Sequence, residues 1–186
     1  MKRSFDLLIS FVLLIILLIP IVVIGSAIFF TSKGPVIHWS KRIGKDNIIF
    51  MMPKFRTMTT NAPDVATHLL QDPSNYYTPV GKFFRKYSLD ELPQLYSILI
   101  GDMSLVGPRP ALHNQDDLVS LRKEVGVHCL LPGITGLAQI NGRDSLPIQR
   151  KVEFDLNYLK KKSLRFDIYI LWLTLLKVIK RANISH

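Results

Sequence analysis

The sequence predicts an α+β fold, mostly α, in which a proline-broken membrane helix precedes a small β-hairpin and short amphipathic helices. Three observations carry that expectation. Residues 7–30 contain no charge, and Pro20 lies near their middle. Residues 35–58 place short β-branched and aromatic runs on either side of the turn sequence GKDN. Beyond residue 80, apolar side chains recur at helical spacing in short stretches cut by Gly and Pro.

The 186 residues suffice for one body with a real core. A formal charge of +10 together with 48% apolar residues suits a protein at a membrane surface. The same hydropathy argues against a nucleic-acid binder. Cys129 is the single cysteine, which excludes an internal disulfide and a thiolate zinc cluster.

The uncharged run of 24 residues would measure roughly 36 Å as a straight helix at about 1.5 Å per residue, enough to cross a bilayer. Lys2 and Arg3 give it a signal-like start, but it is too long for a signal peptide and lacks a small-residue cleavage site. The other 22 of the 24 Lys and Arg residues follow it, so both flanks favour the cytoplasmic side. Pro20 lacks an N–H and its ring collides with the carbonyl of Ile16, which favours a bend. A re-entrant helix that turns at Pro20 and leaves on the face it entered satisfies both flanks, which a single crossing does not; the alternative is an ordinary kinked span with the body on either side. The re-entrant membrane helix would occupy residues 1–32, and residues 33–186 would form the cytosol-facing domain with its interfacial helices.

Along that domain, residues 35–58 read as the hairpin and residues 60–78 as a loop with a short helix at 64–70. A helical pattern begins near Val80 and is interrupted around Ser88 to Asp90. GDMSLVGPRPAL reads as an extended loop carrying Arg109, residues 114–126 as a helix, LPGITGLAQINGRDSLP as turns, and residues 148–162 as a helix. In residues 166–179, Thr174, Lys177 and Arg181 share one side and Trp172, Leu176 and Ile179 another. That pattern suits an interfacial amphipathic helix or a buried core helix.

The stretch KYSLDELPQL (86–95) sets Asp90 beside Glu91 at a helix start. Ser88 and Glu91 fit a capping box, but that phasing puts Pro93 at the fifth helical position, where its missing N–H matters. Asp90 as N-cap places Pro93 in the first turn, where no intrahelical partner is required. Lys54, Arg56, Arg85, Arg109 and Arg143 lie in loop or boundary stretches, where cations gather around phosphate oxygens. Carboxylate oxygens can hold a divalent metal beside such phosphates, and an ionised Asp can attack phosphorus to give an acyl phosphate.

Four stretches occur in an order that resembles the bacterial sugar transferase family, the small monotopic phosphoglycosyl transferases. They are KFRTM (54–58), SLDELPQL (88–95), GDMSLVGPRP (101–110) and PGITGLAQINGR (132–143), and with the membrane segment they cover essentially the whole chain. The resemblance implies transfer of a sugar 1-phosphate from a UDP-sugar to undecaprenyl phosphate, giving polyprenyl-diphosphate sugar and UMP, as the first membrane step of glycoconjugate assembly. It implies Asp90 as nucleophile, Asp90 and Glu91 beside a required Mg²⁺, and substrate contacts from Arg85, Arg109 and Arg143, with Lys54, Arg56 and Gln139 as lesser candidates. It further implies an N-acetylated amino sugar as donor, membrane lipid as partner, and a monotopic place on the cytoplasmic face of the bacterial inner membrane. The chain departs from many relatives at Ile19, Pro53 and Leu131, where Ser, Tyr and a basic residue are usual. A homodimer is compatible with the sequence, and no motif decides it. The competing reading is a non-catalytic membrane-anchored scaffold or lipid-binding protein in which Asp90 only caps a helix.

Overall fold

The structure is a computed structural model that describes residues 1–63, 72–142 and 145–183. The helix expected at 64–70 and the candidate Arg143 lie outside the described residues. Helix α1 (Lys2–Ile16) is followed by α2 (Leu18–Thr31), and the two are bent by 61° at Leu17. The break falls one turn before Pro20, because Pro20 has no N–H to give Ile16 and its ring excludes that carbonyl. Pro20 then occupies the first turn of α2, where an N–H is not needed. Among the described residues no single helix is long and apolar enough to cross a membrane; the bent pair is, by length and composition.

Both ends of the pair are tied to the same body. Lys2 Nζ lies 2.7 Å from Asp167 Oδ2, and Arg3 donates to the carbonyls of Ile98 and Leu99 at 2.6 and 3.1 Å. Asp6, buried in α1, accepts from Ser104 Oγ at 2.7 Å. At the far end, Arg56 donates to the Ser32 carbonyl at 2.9 Å and to its hydroxyl at 2.7 Å. One face of α1, including Phe5, Ile9 and Leu13, packs on the main core, while Leu8, Phe11, Ile15 and Ile16 stay exposed.

The expected hairpin is present as β1 (Ile37–Ile43) paired antiparallel with β2 (Ile49–Phe55). Its turn places Asp46 and Asn47 at φ of 54° and 60°, a region these two residue types tolerate well. The interrupted helix resolves into α3 (Gly81–Lys86), a 3₁₀ turn at Leu89–Glu91, and α4 (Gln94–Ile100). The two stretches read as loop and turns contribute β3 (Ser104–Val106), β4 (Ala111–Leu112) and β5 (Gly133–Thr135). β4 extends the hairpin along β1, and β3 pairs parallel with β5 in the core. These strands are too short to display a period of two. Their backbones also approach so closely that a Cβ on Gly133 would lie 2.1 Å from the Gly107 nitrogen.

Three further helices match expectation in place: α5 (Asp116–Glu124), then α7 (Ile148–Lys161) and α8 (Leu164–Asn183), with the short α6 (Leu137–Ile140) between them. In α8 the inward side carries the polar Asp167 and Thr174 among the apolar Phe166, Ile170 and Leu173. Asp167 and Ile170 are buried and Thr174 Oγ1 meets Thr135 Oγ1 at 2.7 Å, whereas Tyr169 and Trp172 are 53% and 57% exposed. A surface helix in water would turn Tyr169 and Trp172 inward. The core between these elements joins Met52, Leu95, Ile98, Leu105, Tyr158 and Ile170.

Candidate active site

Ser88 takes φ of 57°, and its left-handed conformation redirects the chain after α3 into the Leu89–Glu91 turn. Leu89 and Leu92 pack against the apolar cluster of Ile24, Ile28, Phe55 and Phe84. Anchored by those two leucines, the acids between them are drawn inward: Asp90 retains 6% and Glu91 9% of its exposure. Asp90 is therefore not the N-cap of a helix. It sits within the 3₁₀ turn, and Pro93 itself takes the N-cap position of α4, a place where no N–H is demanded.

The acids meet cations from three other elements. Lys54, near the end of β2, approaches Glu91 Oε1 at 3.5 Å, and Arg109 donates to the same oxygen at 3.1 Å. Burial draws the Lys54 pKa down to about 8; Glu91 opposes that fall, and Arg109 and Arg42 add to it. Burial likewise raises the Asp90 pKa; Lys54 resists, the Glu91 charge reinforces, and Arg85 and Arg109 resist. Asp90 is thus a carboxylate with enhanced proton affinity and basicity, surrounded by three positive side chains.

Lys54, Arg56, Arg85, Arg109 and Gln139 all border one cavity of about 930 Å³. Arg56 spends one amino group on Ser32, while its Nε and other amino group are buried with no partner among the described residues. Gln139 is buried with neither amide atom partnered among the described residues, and it faces this cavity and a second, apolar cleft that Glu91 also lines. Buried donors and acceptors without partners are costly, so their aim at a cavity favours a ligand that satisfies them.

Arg42, Arg122 and Lys151 also line the basic cavity and escaped the sequence reading. Arg122 donates twice to Asp155 Oδ2, at 3.0 and 2.7 Å, and once to the Arg109 carbonyl at 2.9 Å. It thereby fixes the backbone that presents Arg109 to Glu91. Nothing local marks this pair in the sequence, because Arg122 and Asp155 belong to helices 33 residues apart and resemble ordinary surface charges.

Among the described residues no group of three or more His, Cys, Asp or Glu could cage a metal. The two adjacent carboxylates offer hard oxygen donors, and Mg²⁺ is commonly held by one or two carboxylates with phosphate oxygens and water completing its shell. The donor set fits that ion in a site that phosphate completes.

A family model described as bacterial sugar transferase matches residues 1–181. The UDP-glucose:undecaprenyl-phosphate glucose-1-phosphate transferase of Klebsiella pneumoniae is 40% identical over 185 residues, covering 95% of this chain and 39% of that protein. The undecaprenyl-phosphate galactose phosphotransferase of Salmonella typhimurium is 38% identical over 197 residues, covering 97% of this chain and 41% of its own. The chain thus spans about two fifths of those two relatives. It matches the uncharacterized sugar transferase EpsL of Bacillus subtilis over nearly all of both chains, at 42% identity with coverage of 100% and 91%. With the family match running almost end to end, the chain belongs to the bacterial sugar transferase family.

Proposed function

We propose that this protein transfers a sugar 1-phosphate from a UDP-sugar to undecaprenyl phosphate, releasing UMP and forming an undecaprenyl-diphosphate sugar that starts assembly of a glycoconjugate. The observation that carries the reading is the buried Asp90–Glu91 pair, set among Lys54, Arg85 and Arg109 between a basic cavity and an apolar cleft. The relatives' names supply the acceptor and the phosphotransfer.

The basic cavity receives the diphosphate of the donor, with Arg56, Arg85 and Arg109 offering planar sets of N–H donors and Lys54 a point charge. An Asp90 carboxylate oxygen attacks the phosphorus attached to the sugar. The bond from that phosphorus to the bridging oxygen breaks, UMP departs with the electron pair, and Asp90 carries the phosphosugar as an acyl phosphate. An oxygen of the acceptor phosphate then attacks the same phosphorus and releases the Asp90 carboxylate. Mg²⁺ held by Asp90 and Glu91 would offset the repulsion between carboxylate and diphosphate. Glu91 holds Lys54 and Arg109 in place, and Gln139 supplies an amide to the reacting groups from the border of the two cavities.

The helix pair lies in one leaflet of the bacterial inner membrane as a re-entrant segment, with the body on the cytoplasmic face. This placement draws support from the attachment of both ends of the pair to the same body and from the outward apolar face of α8.

The test is incubation of the protein with Mg²⁺, undecaprenyl phosphate and a panel of UDP-sugars, including glucose, galactose and N-acetylated amino sugars, with UMP release as readout. We expect release with one donor class, and a phosphosugar mass on the Asp90 peptide when the acceptor is withheld. Turnover by Asp90→Asn equal to the native rate defeats the covalent scheme. The absence of UMP with every donor instead favours a scaffold.

A further inference from the structure

Residues 32–36, which join the helix pair to the hairpin, meet Arg56 at three alternate positions. The Ser32 carbonyl and hydroxyl accept from Arg56 Nη2 at 2.9 and 2.7 Å, Gly34 lies against Nη1, and the Val36 carbonyl accepts from the Arg56 main-chain nitrogen at 2.9 Å. Ser32 follows the last turn of α2, where carbonyls lack intrahelical donors and a cation is favoured. Its hydroxyl donates onward to the Ile28 carbonyl at 3.1 Å, and Ile28 is fully buried in the cluster on which Leu89 and Leu92 pack. The exit of the helix pair is therefore one side chain away from the guanidinium.

Two separate constraints require glycine at position 34. Its φ is +113°, which side-chain-bearing residues rarely adopt. A Cβ there would also stand 3.4 Å from Arg56 Cζ, closer still to Nη1, and 3.0 Å from the Thr60 methyl. The bare backbone thus leaves the space that the guanidinium fills. An arginine that only capped a helix would leave its other donors to water. Arg56 instead is 4% exposed and buries Nε and Nη1 without a partner among the described residues, at the border of the basic cavity. Resting on the reading above, we propose that Ser32 and Gly34 are positioning residues: they hold the Arg56 guanidinium where it meets the diphosphate of the UDP-sugar, so that the seating of the helix pair sets the affinity for the donor. Linkage runs both ways, and a bound donor must then hold the exit of the helix pair more firmly.

The test uses the full chain in nanodiscs with Mg²⁺, and measures the UDP-sugar KM and the undecaprenyl phosphate KM separately. Gly34→Ala should raise the UDP-sugar KM about tenfold or more, and Ser32→Ala, which strains no dihedral angle, about threefold, each with the acceptor KM as in the native protein. Lys33→Ala, an exposed neighbour in the same segment, should change neither. Arg56→Lys has no Nη1 to collide and no fork to hold, so in that background Gly34→Ala and Ser32→Ala should each add less than about twofold. UDP should also slow trypsin cleavage after Lys33, relative to cleavage after the exposed Lys45 of the hairpin turn, in the native protein and not in Arg56→Lys. A native donor KM in both single variants overturns the proposal, as does an equal rise of both KM values. So does a Gly34→Ala effect that persists in full beside Arg56→Lys, since the strain at Gly34 would then act without the guanidinium. A native protein that turns over no donor at all defeats the enzymatic reading first, and this one with it.

Discussion

Replacement of Glu91 by Gln removes a negative charge 3.5 Å from the Lys54 ammonium while keeping a similar shape. Two unit charges about 4 Å apart attract by about 4 kcal/mol at an effective dielectric constant of about 20, equivalent to about 3 pK units. The Lys54 and Glu91 side chains keep 15% and 10% of their exposure, and water there weakens the attraction, so about one to two units is the expected change. Lys54, already drawn down to about 8 by burial, should fall further in the variant. Asp90 should also fall, because the Glu91 charge is one of the influences raising it. Two groups of opposite charge type thus move in the same direction, which a general loosening of the site would not produce: added water would return Lys54 upward and Asp90 downward. The assay is ¹³C NMR of reductively methylated, metal-free protein in micelles, with the Lys54 signal identified through Lys54→Arg. The native protein carries a pH consequence as well. Above about pH 8 Lys54 loses its proton, the cavity loses a positive charge, and affinity for a diphosphate ligand should drop. A native Lys54 signal titrating at the ordinary lysine value, or one that rises in Glu91→Gln, would refute the reasoning.

Two further substitutions probe other parts of the molecule. Gln139→Leu removes two buried polar atoms that have no partner among the described residues, so the ligand-free protein should gain about 1 kcal/mol in thermal unfolding while UMP release falls about tenfold; a lower Tm would contradict the first part, and native turnover the second. Asp167→Ala takes the acceptor from both Lys2 and the Tyr158 hydroxyl, and should cost about 2 to 3 kcal/mol, read as a lower Tm and faster proteolysis at the N-terminus. An unchanged Tm would mean that the tie contributes nothing.

How much of this was legible in the sequence depended on how local the cause was. The GKDN turn announced the hairpin because Asp and Asn tolerate the positive φ it requires. Pro20 announced a bend, and the break appears one turn upstream because the conflict lies with the carbonyl of Ile16 rather than with the proline's own position. The acid pair was visible as residues but misplaced as a cap, since the left-handed turn at Ser88 has no composition signal: no glycine or asparagine marks it. The short strands β3 and β5 stayed hidden because three residues cannot show alternation, and their pairing depends on glycines 26 residues apart fitting backbone against backbone, as with Gly107 and Gly133. The Arg122–Asp155 support of Arg109 is tertiary throughout. In α8 periodicity separated Thr174 from Trp172 and could not say which side faced the protein.

The tie between Lys2 and Asp167 joins positions 165 residues apart, nearly the ends of the chain. During synthesis at about 5–20 residues per second, the first helix must therefore wait on the order of ten seconds or more for its partner to exist. Ser104, the partner of Asp6, emerges earlier, after 98 intervening steps. The fastening of α1 by α8 is therefore a late, long-range closure of high contact order, made after the contacts of α1 with the nearer elements have become possible.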